Sequence, residues 1–128
     1  VHAMAHQLGG LYDMPHGVAN AMLLPHVCKY NLISNPQKFA DIAEFMGENI
    51  EGLSVMDAAQ KAIDAMFRLS TDIGIPAKLR DMGVKEEDFG YMAEMALKMV
   101  MHSVTQEKVT KETSLKYSKL HSNKRLAL

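Results

Sequence analysis

The sequence predicts an all-α fold of about five helices, and two observations carry that prediction. Apolar residues recur three and four positions apart through most of residues 1–103, which is the spacing of one helix face. No stretch alternates apolar and polar residues for long enough to predict a strand. We therefore expect one helical domain over residues 1–103, followed by a tail of different composition over residues 104–128.

The first two helices are predicted on either side of a break at Asp13-Met14-Pro15. Residues 1–12 carry apolar side chains at helical spacing, and proline disfavours a helical conformation in the residue before it. A second helix is predicted from His16 to about Tyr30, and Pro25 is able to kink it because its ring blocks one main-chain hydrogen bond. The break allows the chain to turn back between the two helices.

Three more helices follow, each with a recognisable start or stop. Asn35-Pro36 opens a helix over residues 37–46 that Gly47 ends, and Ser54 with Asp57 forms a capping box for a helix that ends near Gly74. Acidic residues 86–88 favour the start of the last helix. Its predicted buried face consists of Phe89, Met92, Ala93, Ala96, Leu97 and Val100.

Composition and charge exclude several classes of protein. No apolar run approaches the ~20 residues that cross a bilayer, and no export signal is present, so a cytoplasmic protein without a membrane partner is expected. The single cysteine, Cys28, has no second thiol for a disulfide, and its predicted role is packing. The tail holds 6 basic and 2 acidic residues, but its scattered lysines predict no nucleic-acid partner.

Three histidines within fifteen residues, His2, His6 and His16, are the candidate chemical site. His2 and His6 lie four positions apart and share a helix face, while the break before His16 can turn that side chain back toward them. Imidazole suits zinc, iron, copper and nickel, so the cluster indicates a transition metal. The alternative is that His2 and His6 lie four positions apart by chance, and that His16 is a neutral, hydrogen-bonded side chain near the start of a helix. In that case the three histidines bind no metal. The other histidines, His26, His102 and His121, have no convergent partners in the sequence.

Two long motifs resemble the signature of a known family. Residues 2–10 read HAMAHQLGG and residues 15–27 read PHGVANAMLLPHV, and both are similar to the C-terminal domain of the iron-containing (group III) alcohol dehydrogenases. Segments 72–76 and 79–84 extend the resemblance to about four-fifths of the chain. The resemblance implies a helical metal-binding domain of the dehydroquinate synthase-like fold.

The resemblance also implies roles for the histidines. His2 and His16 match two metal ligands of the family, and His6 matches a histidine beside the nicotinamide and the substrate. The implied cofactors are Fe²⁺, or Zn²⁺ in its place, and NAD(P). The family's other ligands, an aspartate and a histidine, and its glycine-rich pyrophosphate turn have no counterpart in these residues. We therefore expect a C-terminal fragment, inactive alone, that binds metal weakly.

The expected partner is a second copy of the chain, or a separate chain carrying the nucleotide-binding domain. A non-catalytic helical remnant that self-associates is the competing interpretation, and failure to bind cofactor would favour it. A third, a methionine-rich partner-binding bundle, rests on the 11 methionines and predicts an exposed apolar groove. The tail departs from the usual family ending, and a reading-frame shift before residue 104 is one hypothesis for its origin.

Overall fold

The computed structural model describes residues 1–103, which contain five α-helices and no strand. The predicted all-α class and number of helices are therefore confirmed. The first four helices are α1 (His2–Tyr12), α2 (His16–Asn31), α3 (Pro36–Phe45) and α4 (Val55–Asp72), and the described part of α5 spans residues 89–103. Short 3-10 turns lie at Leu32–Ser34, Leu79–Met82 and Glu86–Asp88. The predicted basic tail, 104–128, lies outside the described residues.

Two helix starts are built as the sequence predicts. The Asn35 side chain accepts a hydrogen bond from the main-chain N–H of Lys38 at 3.3 Å, and Pro36 occupies the first turn of α3. At α4, the Ser54 hydroxyl accepts from the N–H of Asp57 at 3.1 Å and donates to the Asp57 carboxylate at 2.6 Å. Each cap satisfies a main-chain donor that the helix leaves free, which stabilises a helix by about 1 kcal/mol.

The link between α1 and α2 reverses the chain within three residues. Asp13 has a φ of 51°, and its N–H bonds to the carbonyl of Gly9 at 3.1 Å, which ends α1 with a left-handed residue. Met14 then points inward and is 5% exposed. This turn brings the start of α2 back against α1, as the predicted break requires. Beyond it, α2 continues as one helix through Pro25 to Asn31.

Two clusters of buried side chains hold the helices together. The first joins α1 and α2 to the chain around Val84 and to α5, and its members are Ala5, Leu8, Met14, Ala19, Met22, Leu23, Val84 and Met92. The second joins the end of α2 to α4 and consists of Leu32, Ala59 and Ile63, with Cys28, Phe39 and Met66 packed against it. Cys28 thus packs as predicted, and burial raises the pKa of its thiol.

The predicted buried face of α5 is wrong in most of its members. Met92 and Ala96 are buried, but Phe89, Leu97 and Val100 are 42%, 67% and 48% exposed, and Ala93 is also exposed. The apolar stripe on α5 is wider than the surface that the other described helices offer it. Helical spacing identifies which residues share a face, but burial depends on what packs against that face.

None of the helices in residues 1–103 has the length and apolar character needed to cross a membrane.

Candidate metal centre

The three histidines of the N-terminal motifs come together at one end of the α1–α2 pair. The ring centroids of His2 and His16 lie 5.1 Å apart, and those of His6 and His16 also lie 5.1 Å apart. The His2 and His6 rings, one helical turn apart on α1, are separated by 6.3 Å. The structure therefore joins the candidate residues that the sequence singled out, two from one helix and one from the next.

The three imidazole rings differ in orientation, and all of them are accessible to a metal ion. The planes of His2 and His16 are within 10° of parallel, whereas His6 is tilted by 48° and 47° from its two neighbours. All three side chains are exposed. Neutral imidazole nitrogens are good donors for iron and zinc, so the donor chemistry of the cluster fits such an ion.

The three imidazoles do not form a complete metal site within the described residues. Within residues 1–103, no group of three or more His, Cys, Asp or Glu side chains has an arrangement that would hold a metal ion. A bound divalent ion normally takes at least three protein ligands, and a carboxylate among them offsets part of its charge. The exposed imidazoles thus leave room for ligands from another segment or chain.

The N-terminal turn that carries His2 is tied to the domain. The carbonyl of Val1 accepts hydrogen bonds from the N–H groups of Met4 and Ala5, both at 3.0 Å. The Val1 side chain packs against the first core cluster. At the other side of the cluster, the Asn20 amide donates to the carbonyl of His16 at 3.0 Å. These contacts fix the backbone on which the imidazoles are mounted.

A tyrosine at the other end of α1 makes a contact that the sequence did not indicate. The Tyr12 hydroxyl donates to the Asp88 carboxylate and accepts from the N–H of Lys85 at 3.0 Å. It thereby joins the end of the helix that bears His2 and His6 to the turn that precedes α5. Spacing along the chain carries no signal for this pair, because its partners are 76 positions apart. The hydrogen bond to Asp88 raises the pKa of Tyr12.

This raised pKa predicts that Tyr12 makes stability depend on alkaline pH. The hydroxyl titrates near 10 in the unfolded chain and higher in the folded one, so the folded state holds more protons between the two values. The contribution of Tyr12 is complete below about pH 10 and is lost as the pH rises through the folded-state pKa. Urea unfolding of the wild type and of Tyr12→Phe from neutral to alkaline pH should show a difference that shrinks above that point.

The matched control is Tyr30→Phe, because the Tyr30 side chain is 85% exposed. Its unfolding curves should track the wild type across the whole range. A Tyr12→Phe difference that stays constant with pH would show that the hydroxyl matters for packing alone.

Two of the remaining histidines, His26 and His102, lie among the described residues. His26 is exposed on α2 and meets the ring of Phe67 edge-on, with centroids 5.1 Å apart. His102 is exposed near the end of the described chain, and His121 lies outside the described residues.

Comparison with known proteins gives a consistent result. The model of the Fe-containing alcohol dehydrogenase family, C-terminal part, matches residues 1–119. The 1,3-propanediol dehydrogenase of Citrobacter freundii is 81% identical over 98 residues, covering 77% of this chain and 25% of the relative. Lactaldehyde reductase of Escherichia coli (strain K12) is 52% identical over 97 residues, covering 76% and 25%.

Solved structures agree in fold. The crystal structure of a 1,3-propanediol oxidoreductase superposes with a TM-score of 0.75 and 80% identity, covering 76% of this chain and 25% of that one. The alcohol dehydrogenase from Oenococcus oeni gives a TM-score of 0.73 and 60% identity with the same coverage. The chain spans about a quarter of the length of these relatives. It therefore belongs to the Fe-containing alcohol dehydrogenase family and represents part of that family's C-terminal helical domain.

Proposed function

We propose that this helical domain supplies His2 and His16 as metal ligands, and His6 as a substrate-side residue, to an alcohol dehydrogenase that uses NAD(P). The observation that carries the proposal is the convergence of the three imidazoles, with centroids 5.1 to 6.3 Å apart, on an exposed end of α1 and α2. Membership of the family and the placement of the cluster support the same role. The reaction interconverts an alcohol and an aldehyde.

The proposed roles of His2, His6 and His16 follow from the chemistry of imidazole. A bound Fe²⁺ or Zn²⁺ ion would supply a Lewis acid for the substrate oxygen. His2 and His16 would hold that ion through neutral ring nitrogens, so protonation at low pH would release it. His6, tilted against both, can hold or pass on a proton at the substrate.

The exposure of the three imidazoles supports the presence of a second domain in the active enzyme. Catalysis of this kind needs water excluded and a cofactor placed against the substrate, and an exposed cluster provides neither. We propose that a nucleotide-binding domain covers the histidines and brings further metal ligands, whether it is joined to these residues or comes from another chain. These 128 residues on their own are then expected to lack activity and to bind metal weakly.

The first experiment measures the transition metal bound to the purified 128-residue chain in equilibrium dialysis at Fe²⁺ or Zn²⁺ concentrations high enough to fill a weak site. The wild type should bind about one ion, and a His2→Ala/His16→Ala variant should lose it, because too few ligands remain. The control is His26→Ala/His102→Ala, which removes two exposed histidines outside the cluster. Equal metal content in all three proteins, or none in any, would contradict the proposal.

The substrate is proposed from the similar proteins. The 81% identity to 1,3-propanediol dehydrogenases makes a short diol such as 1,3-propanediol the first compound to assay. The assay requires the nucleotide-binding domain to be present, and ethanol serves as the comparison substrate. A higher kcat/KM for ethanol than for 1,3-propanediol would contradict this choice.

A second candidate function, a self-associating helical module, is favoured by the large apolar side chains at the surface. Tyr30, Ile33 and Phe45 are 85%, 78% and 88% exposed, and the first two lie close together in the chain where α2 ends. Apolar surface of this kind is typical of contacts between proteins. Sedimentation velocity should show association that increases with concentration and decreases in Ile33→Glu. A monomer at every concentration would count against self-association.

A further inference from the structure

A cavity of about 630 Å³ opens between α2 and the chain from 77 to 89, away from the histidine cluster. Its floor is apolar and includes Met22, Leu23 and Val84, which are 7%, 7% and 5% exposed. Ligand-binding pockets in proteins have volumes of ~300 to 1,000 Å³ and are lined mainly by apolar groups with a few polar ones. The cavity therefore has the size and floor of a site for a small molecule.

Two basic residues line this cavity. Lys78 and Arg80 both line it, and neither side chain makes an ion pair or hydrogen bond with another described residue. Glu86 is the one acidic residue among the described residues of the lining, so their net charge is positive. Free guanidinium and ammonium groups beside an apolar floor favour the carboxylate of an amphipathic molecule.

A second hollow of about 300 Å³ continues the first and is lined only by apolar residues. The two share Leu23, Leu79 and Phe89, and the second extends to Met4 on α1 and Met92 on α5. On a helix, Met4 points nearly opposite to His2 and His6, because two positions correspond to about 200°. The combined groove therefore has a cationic end and an apolar end, and it lies on the other side of α1 from the imidazoles.

We propose that this groove binds a free medium-chain carboxylic acid. The carboxylate pairs with Lys78 and Arg80, and the alkyl chain crosses Leu23 and Phe89 toward Met92. The positive rim accounts for the acid head, and the wholly apolar extension accounts for a tail without polar groups. The site is independent of the proposed dehydrogenase chemistry, since it uses none of the three clustered histidines.

The test is calorimetric titration of the full 128-residue chain with decanoate below its micelle concentration. One decanoate should bind per chain, and Lys78→Glu/Arg80→Glu should weaken binding by ~10-fold or more because a charge-assisted contact becomes repulsive. Glu86→Gln should tighten binding, since it removes the acidic group from the rim. Tighter binding of decanoate by Glu86→Gln could not result from misfolding, because misfolding would weaken binding.

The matched control is Lys29→Glu/Lys61→Glu, which makes the same change in net charge at exposed positions outside the groove. Circular dichroism establishes that each variant is folded. The same loss in this control, binding of many decanoates per chain, or unchanged affinity in the Lys78/Arg80 variant would each overturn the proposal. Decanol, which has the same tail and no charge, should bind more weakly than decanoate.

Discussion

Replacing Ile63 with alanine is expected to lower the free energy of unfolding by ~2 to 5 kcal/mol. Ile63 is fully buried, and no other large side chain among residues 1–103 is so completely enclosed. It lies on α4 and packs against Leu32 and Ala59 in the second core cluster. Its truncation removes buried apolar area and leaves a cavity that neighbouring alanines are too short to fill.

The effect is large for a domain of this size, because total stabilities are about 5 to 15 kcal/mol. Urea unfolding followed by circular dichroism measures it, and the midpoint should fall without a change in slope. Ile73→Ala makes the same chemical change at the end of α4, where the side chain is 64% exposed, and should shift stability by no more than about 0.5 kcal/mol. Equal losses in the two variants would show that the second cluster is not a core.

Local chemistry explains why the helix boundaries could be predicted from the sequence. Asn35 and Ser54 cap their helices with side-chain bonds to residues three positions later, so the whole signal lies within one turn. Gly47 and Gly74, where the sequence places the ends of α3 and α4, have φ values of +83° and +76°, which a residue without Cβ adopts readily. Such features depend on few neighbours and are visible in any short window of sequence.

The histidine cluster was predictable for a related reason. His2 and His6 need only one helical turn to share a face, and His16 needs only a reversal at the intervening break. The means of reversal, a left-handed Asp13, was not predicted, because glycine is the usual residue at such a position. The roles of these histidines as metal ligands stay a prediction.

Long-range contacts explain most of what the sequence did not show. Tyr12 reads as one more apolar position on α1, and its bond to Asp88 depends on the folded path between them. The groove near Lys78 and Arg80 is formed by α1, α2, α5 and the chain from 77 to 86, which no periodic pattern joins. The exposed residues of α5 fit the same explanation, because the spacing of apolar residues along a helix does not show which other element packs against that face.

The largest expected effect on activity separates His6 from His16. Since His2 and His6 lie similarly close to His16, distance assigns no roles, and substitution must do so. In the proposed dehydrogenase, assembled with a nucleotide-binding domain, His6→Ala should keep the metal and lower kcat by ~10²- to 10⁴-fold, the usual contribution of a proton-transferring residue. His16→Ala should lose both metal and activity.

Metal content and the pH profile of kcat distinguish these outcomes from a general loss of structure. If His6 handles a proton, the profile should lose one ionisation in His6→Ala, while His26→Ala should leave metal, rate and profile unchanged. Loss of metal in His6→Ala, to the same extent as in His16→Ala, would make His6 a ligand. The imidazole cluster would then be a three-histidine metal site with its proton-transfer group elsewhere, and the substrate-side role proposed for His6 would be wrong.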